Sequence, residues 1–418
     1  TVWTKMHVKR MRSAFRWAFS AFCLFLACAG CSERGETGDG TLVRDSTGIT
    51  IVENDHTLPE WETPWFLSEG PLLRIGSVEE DTTQLLFRVT DSRRLRDGRV
   101  LVVNSGSAEV MLFGPDGQLD QTIGGRGEGP GEFGSPWQAY PIRGDSILVV
   151  DLYREVVVFD HDGVYAREFN LHLPEGQLSG EGAAPVDQFG DGSLLFQRYL
   201  PQDPSWTGVR RSRIQMLRIP IDGTVAESLG EYEDQTVNYG PERRRFAFGP
   251  WAQEAAGPTT MWYGPGDRFE ISEIGFDGSL LRLVRLDRPS RPVSEADRTQ
   301  FREDYATQMD LWNPGRGEEF WRREAAQALF PDSFPAHGQV EVDPLGNVWV
   351  QDYESSYTQT RPDRMWSVFD PEGAYLGDVV IPGGLSVYHI GQNHLVGRWT
   401  DDLGIEYVHV YGLEKPGG

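Results

Sequence analysis

A four-strand pattern with glycine-containing turns recurs along the chain and constrains the fold more than any other feature of the sequence. The first copy opens with the apolar run 86–89, and its later strands follow the turns Asp97-Gly98 and Asp116-Gly117. An Asp-Gly pair permits the positive φ angles that tight hairpin turns need. Strands joined by such turns pair antiparallel with their neighbours in the chain. Each copy therefore predicts a four-stranded antiparallel β-sheet.

The pattern returns five more times, so the chain contains six copies of one unit. The later copies have turns at Gly144-Asp145 and Asp162-Gly163, Asp191-Gly192 and Asp222-Gly223, Gly257-Pro258 and Asp277-Gly278, Leu345-Gly346 and Glu372-Gly373, and Gly391-Gln392. The sixth copy lacks a fourth strand, and residues 71–76, before the first copy, have a matching sequence. An N-terminal strand in that place closes a ring and removes free edges. We predict an all-β, six-bladed β-propeller closed by its N-terminal strand, in preference to open β-meanders or a sandwich.

One connection between repeats, and the repeat that follows it, resemble a known family. Residues 129–136 read Gly-Pro-Gly-Glu-Phe-Gly-Ser-Pro, residues 145–151 read Asp-Ser-Ile-Leu-Val-Val-Asp, and residues 156–163 read Val-Val-Val-Phe-Asp-His-Asp-Gly. Together they resemble one NHL-type repeat. With Arg-Asp-Ser-Thr-Gly-Ile-Thr-Ile-Val-Glu-Asn at 44–54, they are similar to bacterial six-bladed propeller lipoproteins. The resemblance implies the fold and leaves the activity open, because propellers host many functions.

The N-terminus has the features of a lipoprotein signal peptide. A basic segment at 9–12 precedes an apolar run at 17–30, which is short for a membrane span. The sequence Cys28-Ala-Gly-Cys31 resembles a bacterial lipobox, which implies cleavage before Cys31 and its diacylation; a plain secretory signal is the alternative. Three segments are expected: a signal peptide at 1–30, a polar tether at 31–40 and the propeller at 41–418. The expected location is the periplasmic side of the outer membrane or the cell surface, with lipid as the only membrane attachment.

Cysteine content and charge exclude several classes of function. The chain after Cys31 contains no cysteine, so it holds neither a disulfide nor a zinc site built from thiolates. The whole chain carries 39 Lys and Arg against 63 Asp and Glu, and such an acidic surface repels nucleic-acid phosphates. We therefore expect no nucleic-acid partner. The acidity either serves solubility alone or attracts cations.

The long segments of the chain all fall on one face of the predicted propeller. Connections between second and third strands and between blades emerge on the same face, and the long segments belong to these two classes: 199–212, 231–250, 287–336 and 352–364. Loops on a rigid scaffold commonly carry function. This insertion-rich face is therefore the predicted functional face.

The insertion between blades 4 and 5, at about 289–336, is expected to be helical. Ser294-Glu-Ala-Asp297 is a helix-start signal, and Phe301 and Tyr305 follow at helical spacing. The helices either cover the mouth of the central channel as a lid or lie against the outer flank of a blade.

Polar residues at the ends of strands are candidate site residues. Asn104, Asp151 and Asp352 follow second strands at equivalent places, where a ring of oxygens suits Ca²⁺. By resemblance to gluconolactonase-like propellers, Asp151 and Asp352 are the candidate metal ligands; carboxylates that cap turns are the alternative. His337 and His389 are expected near the innermost strands, as metal ligands, as a base or as ordinary core residues.

These observations favour a binding module over an enzyme. Trp399 is one of several tryptophans expected near the functional face, where they stack on a ligand or hold the long loops together. The expected ligand is a protein, a peptide or a carbohydrate. No catalytic residue is assigned, and Ca²⁺ is the only cofactor considered. The alternative function is a metal-dependent hydrolase or lyase, similar to gluconolactonases, with an acidic site at the channel mouth.

Overall fold

The computed structural model contains six antiparallel sheets that form the blades of a propeller. It describes residues 33–415 apart from 38–39, 57–64, 78–84, 153–155, 170–171, 174–175, 178–182, 204, 222–224, 241 and 356–361. First strands of neighbouring blades lie side by side, as in blades 1 and 2 and in blades 4 and 5. The predicted all-β, six-bladed fold is confirmed.

The first three blades follow the predicted repeats. Blade 1 contains Val89–Arg94, Val100–Asn104, Glu109–Phe113 and Leu119–Gly124. Blade 2 contains Pro136–Ile142, Ser146–Asp151, Val156–Phe159 and Tyr165–Phe169. Blade 3 contains Ala183–Gln188, Leu194–Tyr199, Gly208–Ile219 and Glu227–Tyr239, with Arg244–Arg245 added at its edge. A two-stranded pair, His172–Leu173 and Gly176–Gln177, lies between blades 2 and 3 in the sequence.

The last three blades complete the ring. Blade 4 contains Gln253–Ala256, Met261–Gly264, Glu270–Ile274 and Leu280–Asp287. Blade 5 contains Val340–Val342, Val348–Gln351, Arg364–Phe369 and Tyr375–Ile381. Blade 6 contains Leu385–Ile390, His394–Thr400 and Glu406–Glu414, and its fourth strand is the N-terminal Leu73–Ile75.

The N-terminal strand closes blade 6 as predicted. Leu73–Ile75 pairs antiparallel with Glu406–Glu414, and Ile75 lies opposite Val408. The short strand Phe66–Leu67 pairs with the end of the same partner. Each pairing satisfies backbone groups that a free edge would leave open.

A hairpin that the repeats did not predict extends blade 4. Thr41–Ser46 and Ile49–Asp55 pair with each other, and Ile49–Asp55 also runs parallel to the outer strand of blade 4. Residues 33–37, which were expected to be part of a polar tether, form the strand Glu33–Thr37 on the outside of this hairpin. The side-chain amide of buried Asn54 donates to the carbonyl oxygens of Arg285 and Gly373, at 3.0 Å each, and so joins the hairpin to blades 4 and 5.

Apolar clusters lie between neighbouring blades and hold the ring together. Leu101 and Val149 share the cluster between blades 1 and 2, and Val102 and Val410 share the cluster that closes the ring between blades 1 and 6. Further clusters join blades 2 and 3, 3 and 4, 4 and 5, and 5 and 6. The burial of these side chains is the main force that keeps the blades in place.

The insertion between blades 4 and 5 contains the predicted helices. Helix α1 is Glu295–Trp312 and helix α2 is Glu318–Ala326, joined through the 3-10 turn Pro314–Arg316. The predicted start is confirmed: the Asp297 N–H donates to Ser294 Oγ and the Ser294 N–H donates to Asp297 Oδ2. Among the described residues, neither helix is both long and apolar enough to cross a bilayer.

Two sequence expectations about blades 1 and 3 were wrong in detail. The first strand of blade 1 is Val89–Arg94 and not the apolar run 86–89. The segments 199–212 and 231–250, expected as loops, are partly strand, because Gly208–Ile219 and Glu227–Tyr239 pair as a long hairpin. Continuous backbone pairing extended these strands beyond the core of the blade.

Candidate ligand site

A cavity of about 750 Å³, here called the mouth cavity, lies where the helical insertion meets the central channel. Phe301 of α1 and Ala325 of α2 line one side. Gln253, which begins the first strand of blade 4, and Gln339, which precedes the first strand of blade 5, line the channel side. The crossing from blade 3 to blade 4, residues 243–251, supplies the longest stretch of chain in the remaining wall.

Three consecutive arginines line the mouth cavity, and only one of them is engaged by carboxylates. Arg244 donates to Glu242 Oε2 at 2.7 Å and to Gln327 Oε1 at 2.5 Å, which fastens the crossing to α2. Arg243 and Arg245 are exposed and have no carboxylate partner among the described residues. Two positive charges therefore face the cavity of a chain whose formal net charge is −24.

An aromatic face and a buried amide also line the mouth cavity. Trp251 is 45% exposed, and the Arg245 guanidinium lies 5.7 Å from the centroid of its ring. Gln235 is 5% exposed, and its Oε1 atom has no hydrogen-bond partner among the described residues. A buried acceptor without a partner is costly and uncommon in folded proteins. Gln235 therefore places an unsatisfied acceptor in the wall of the cavity.

A pair of carboxyl groups lies behind Gln235. Asp234 is fully buried; its Oδ2 accepts hydrogen bonds from the Ser212 hydroxyl and the Gln235 amide, while its Oδ1 has no partner among the described residues. Burial raises the pKa of Glu254 to about 8, with a further contribution from the Asp234 carboxylate. Near neutral pH, Glu254 therefore retains its proton more than an ordinary glutamate does.

A second cavity of about 460 Å³, here called the flank cavity, lies on the other side of α1. Phe301 and Tyr353 line both cavities and form the wall between them. Met365 and Val380, from the third and fourth strands of blade 5, line the flank cavity. The insertion therefore borders both the channel mouth and the flank of blade 5. The predicted lid over the mouth and the predicted packing against a blade each describe one side of it.

The flank cavity is rich in carboxylates, but each has a partner within the protein. Its lining carries five carboxylates and two arginines. The partners are Ser294 for Asp297, Gln300 for Asp304, Arg288 for Asp352, Arg364 for Glu354, and the Gly383 N–H for Asp363. These carboxylates cap a helix and fasten the loops of blade 5.

The structure assigns Asn104 and Asp151 the same role in successive blades. Asn104 Oδ1 accepts a hydrogen bond from the Phe87 N–H at 2.8 Å. Asp151 Oδ2 accepts from the N–H groups of Gly134 and Ser135, at 2.7 and 2.9 Å. Both side chains therefore hold the segment that leads into the first strand of their own blade. This is the role expected if these residues cap turns instead of binding a metal.

Asp352, the third residue of that predicted ring, has a different environment. It pairs with Arg288, which also contacts Asp378 and His56 between blades 4 and 5. Burial raises the pKa of Asp352, and the charge of Arg288 opposes this shift. The cation that pairs with Asp352 is therefore Arg288 of the protein itself.

The predicted metal ligands do not form a metal-binding group with other residues that the structure describes. In this part of the chain, the one group of three or more such residues close enough to share an ion is Asp160, His161 and Asp162. That group lies in an exposed turn of blade 2, on the face opposite the insertions, and Asp160 Oδ1 already accepts the Asp162 N–H. Asp151 and Asp352 belong to no such group.

His337 occupies a structural position beneath the mouth cavity. Its Nε2 accepts a hydrogen bond from the Gly266 N–H, so its Nδ1 carries the proton that is donated to the Gly338 carbonyl. Burial lowers the pKa of His337 to about 4. Both ring nitrogens are used by the backbone, which leaves neither available to a metal in this arrangement.

His389 and Trp399 lie in blade 6, outside the lining of both cavities. The His389 ring lies 5.7 Å from that of His394, and burial lowers its pKa, as does the charge of Arg93. The histidine ring beside His389 is therefore that of His394, from the second strand of blade 6. Trp399 stacks on His409, with ring centroids 5.2 Å apart, and supports the core between blades 5 and 6.

Sequence reasoning missed a buried ionisable cluster in the central channel. Arg93 donates to Asp91 at 3.2 Å and lies 3.6 Å from Asp187, with its guanidinium over the Tyr140 ring. Burial raises the pKa of Glu341, in the same cluster, to about 8, and the nearby Asp187 adds to the shift. In the first strands, these polar residues alternate with core residues. That alternation is the sequence signal that could have revealed the cluster.

The ring closure, the six blades and the elaborated mouth define the protein as a six-bladed β-propeller. A family model described as a 6-bladed beta-propeller, DUF5128, matches residues 82–179, which contain blades 1 and 2. No curated protein is significantly similar to the chain in sequence.

Solved structures with this architecture are similar to the chain at low identity. A DUF4221 member from Bacteroides vulgatus has 12% identity and a TM-score of 0.49, over 85% of this chain and 99% of its own. A candidate exported protein from Bacteroides fragilis has 13% identity and a TM-score of 0.48, over 87% and 99%. A gluconolactonase from Xanthomonas campestris has 15% identity and a TM-score of 0.41, over 84% and 98%. None of these likenesses is close enough to carry an argument about activity.

Proposed function

We propose that this protein is an exported, lipid-anchored binding module that takes its ligand in the mouth cavity. The observation that carries the proposal is the cavity itself, about 750 Å³ between the helical insertion and the channel mouth. That volume falls within the range of small-molecule sites. Its lining combines Arg243 and Arg245, which have no carboxylate partner among the described residues, with the exposed ring of Trp251. These groups are suited to the recognition of a ligand.

The alternative, a metal-dependent hydrolase or lyase, has less support. It requires Asp151 and Asp352 to offer oxygens to an ion at the mouth. Asp151 accepts two backbone N–H groups and Asp352 pairs with Arg288. The binding function is therefore the better supported of the two.

A cavity-filling variant tests the binding function. Ala328 lines the mouth cavity, and Ala328→Trp places an indole within it. Ala166→Trp is the matched control, because Ala166 is exposed on the outer strand of blade 2. Thermal-shift screening would use oligosaccharides, short peptides and small organic acids.

We expect ligands that stabilise the wild type to lose their effect on Ala328→Trp and to keep it on Ala166→Trp. If every stabilising ligand acts equally on both variants, the mouth cavity is not the binding site. Unfolding of each variant without ligand is recorded first, so that loss of fold is distinguished from loss of binding.

The lipid anchor has a separate test because Cys31 lies outside the described residues. We expect the native chain to partition with membranes and Cys31→Ser to be released into the soluble fraction. Cys28→Ser is the matched control and should remain with membranes. Retention of Cys31→Ser in the membrane fraction would count against lipidation at this residue.

A further inference from the structure

We propose that the ligand of the mouth cavity is an acidic saccharide, a short chain of sugar rings with a carboxylate at one end. This inference rests on the proposed function, and it adds the chemical class of the ligand and its orientation in the cavity.

The carboxylate is assigned to Arg243 and Arg245. Both side chains line the cavity, both are exposed, and neither is neutralised by a carboxylate among the described residues. Arg244, between them, is fastened to Glu242 and Gln327 and so holds the arginine segment in place. A guanidinium presents paired N–H donors that match the two oxygens of a carboxylate.

The sugar ring is assigned to Trp251. Its indole is 45% exposed within the cavity lining, a large apolar face left open to solvent. Aromatic faces of this kind suit the apolar face of a sugar ring while the hydroxyl groups at the ring edge remain free for hydrogen bonds. The Arg245 guanidinium lies over the Trp251 ring, 5.7 Å from its centroid, and would place the carboxylate next to the stacked sugar.

The hydroxyl groups are assigned to three amides in the cavity wall. Gln235, Gln253 and Gln351 all line the cavity, and an amide both donates and accepts hydrogen bonds, as a hydroxyl does. The buried Oε1 of Gln235 has no partner among the described residues and needs a donor. A sugar hydroxyl supplies one, whereas a carboxylate cannot.

The carboxyl pair Asp234 and Glu254 sets the orientation. A ligand carboxylate at Gln235 would lie near the Asp234 side chain, which already contacts the Gln235 amide. Repulsion between like charges disfavours that arrangement. The acidic end of the ligand therefore faces the arginines, and its neutral end faces Gln235. A peptide or a saccharide with a charge at every residue fits this division less well than a saccharide with one acidic end does.

The test is isothermal titration calorimetry on the full-length protein without its signal peptide. The acidic probes are four uronate trimers, each with two neutral sugars and one terminal galacturonate, glucuronate, mannuronate or guluronate. Trimers of galactose and glucose are the neutral probes, and triglutamate is the acidic peptide probe. We expect at least one uronate trimer to bind, with affinity that falls as salt rises, and we expect the neutral and peptide probes to bind at least about 10-fold more weakly.

Variants then locate the site. Arg245→Gln should weaken the uronate by about 10-fold, the usual loss for one hydrogen bond between charged groups. Arg316→Gln is its control, because Arg316 is also exposed beside an aromatic ring but does not line the cavity. Trp251→Leu should cost a similar factor, and Trp137→Leu, 37% exposed on blade 2, should leave binding unchanged.

The outcomes separate this inference from the proposed function. The acidic-saccharide inference is overturned if none of the four uronate trimers binds. It is also overturned if triglutamate or a neutral trimer binds as tightly as the uronate trimers. In that case, the proposed function would still be supported if Ala328→Trp abolishes the binding of any ligand from the wider screen. If the uronate binds but Ala328→Trp and Arg245→Gln have no effect, both proposals are wrong about the cavity.

Discussion

The mouth cavity and the flank cavity share a wall of Phe301 and Tyr353, yet their charged residues are arranged differently. The flank cavity has more charged groups, but its carboxylates cap α1, pair with arginines or accept backbone N–H groups. In the mouth cavity, Arg243 and Arg245 have no carboxylate partner among the described residues.

The difference shows that the number of charges in a cavity is a poor guide to function. A carboxylate that already accepts hydrogen bonds from the protein contributes to the fold and has little left for a ligand. An arginine without a carboxylate partner, or a buried amide oxygen such as that of Gln235, keeps its full capacity to bind. Two such arginines and the Gln235 oxygen lie in the mouth cavity, whereas the buried oxygen without a partner among the described residues of the flank cavity is Glu354 Oε1, in a residue that lines both cavities.

Removing the shared wall should have the largest effect. Phe301 is 6% exposed and contacts the Phe248 and Phe330 rings, so Phe301→Ala leaves a void between the two cavities. We expect the free energy of unfolding to fall by about 3–4 kcal/mol in chemical denaturation. Leu311→Ala, at a residue 72% exposed on the same helix, is the control and should change little. If the free energy of unfolding falls equally in the two variants, Phe301 is not a packed wall between the two cavities.

The buried carboxyl group of Glu254, behind the mouth cavity, should make stability depend on pH. The pKa of Glu254 is raised to about 8. Its contribution to stability is therefore fully present below the unfolded-state pKa, near 4.5, and is lost as the pH rises toward 8. Glu254→Gln should match the wild type at pH 4.5 and exceed it at pH 8 by on the order of 3 kcal/mol.

Thermal and chemical unfolding at the two pH values provide the measurement for Glu254→Gln. Glu168→Gln, at an exposed residue on the outer strand of blade 2, is the control. A gain at pH 8 that is no larger than the gain at pH 4.5 would show that Glu254 ionises normally in the folded protein.

A paired arginine and an unpaired arginine should differ in their effect on folding. Arg288→Gln removes the cation between Asp352 and Asp378 and should lower the free energy of unfolding by about 2 kcal/mol. Arg245→Gln should change it by about 0.5 kcal/mol, since Arg245 has no carboxylate partner among the described residues and loses only its contact over the Trp251 ring. Chemical denaturation of both variants makes the comparison. A large loss for Arg245→Gln would mean that this side chain serves the fold and is not free for a ligand.

Local signals predicted most of the fold. Gly98 and Gly373 have φ angles of 92° and 89°, so the turns that marked the repeats depend on properties of single residues. The capping box at Ser294 and Asp297 likewise depends on four consecutive residues. The closing strand was recognisable because it repeats the pattern of the other fourth strands.

First strands were harder to predict because their side chains face a polar channel. Asp91 and Arg93 interrupt the apolar pattern, and the predicted strand shifted to the neighbouring apolar run. The N-terminal hairpin was missed for a different reason: Ile49–Asp55 pairs parallel with a strand more than 200 residues away, and no local signal specifies such a partner.

The sequence by itself determined the repeat, its closure, the face that carries the insertions and the helical character of the largest insertion. These follow from turn chemistry and periodicity, which act over a few residues. Only the tertiary structure decided which side chains meet: it placed Gln235, Trp251 and Phe301 around one cavity and gave Asp151 and Asp352 to loops and ion pairs. The reason is physical, because whether a polar group is free to bind depends on the partners that distant segments bring to it.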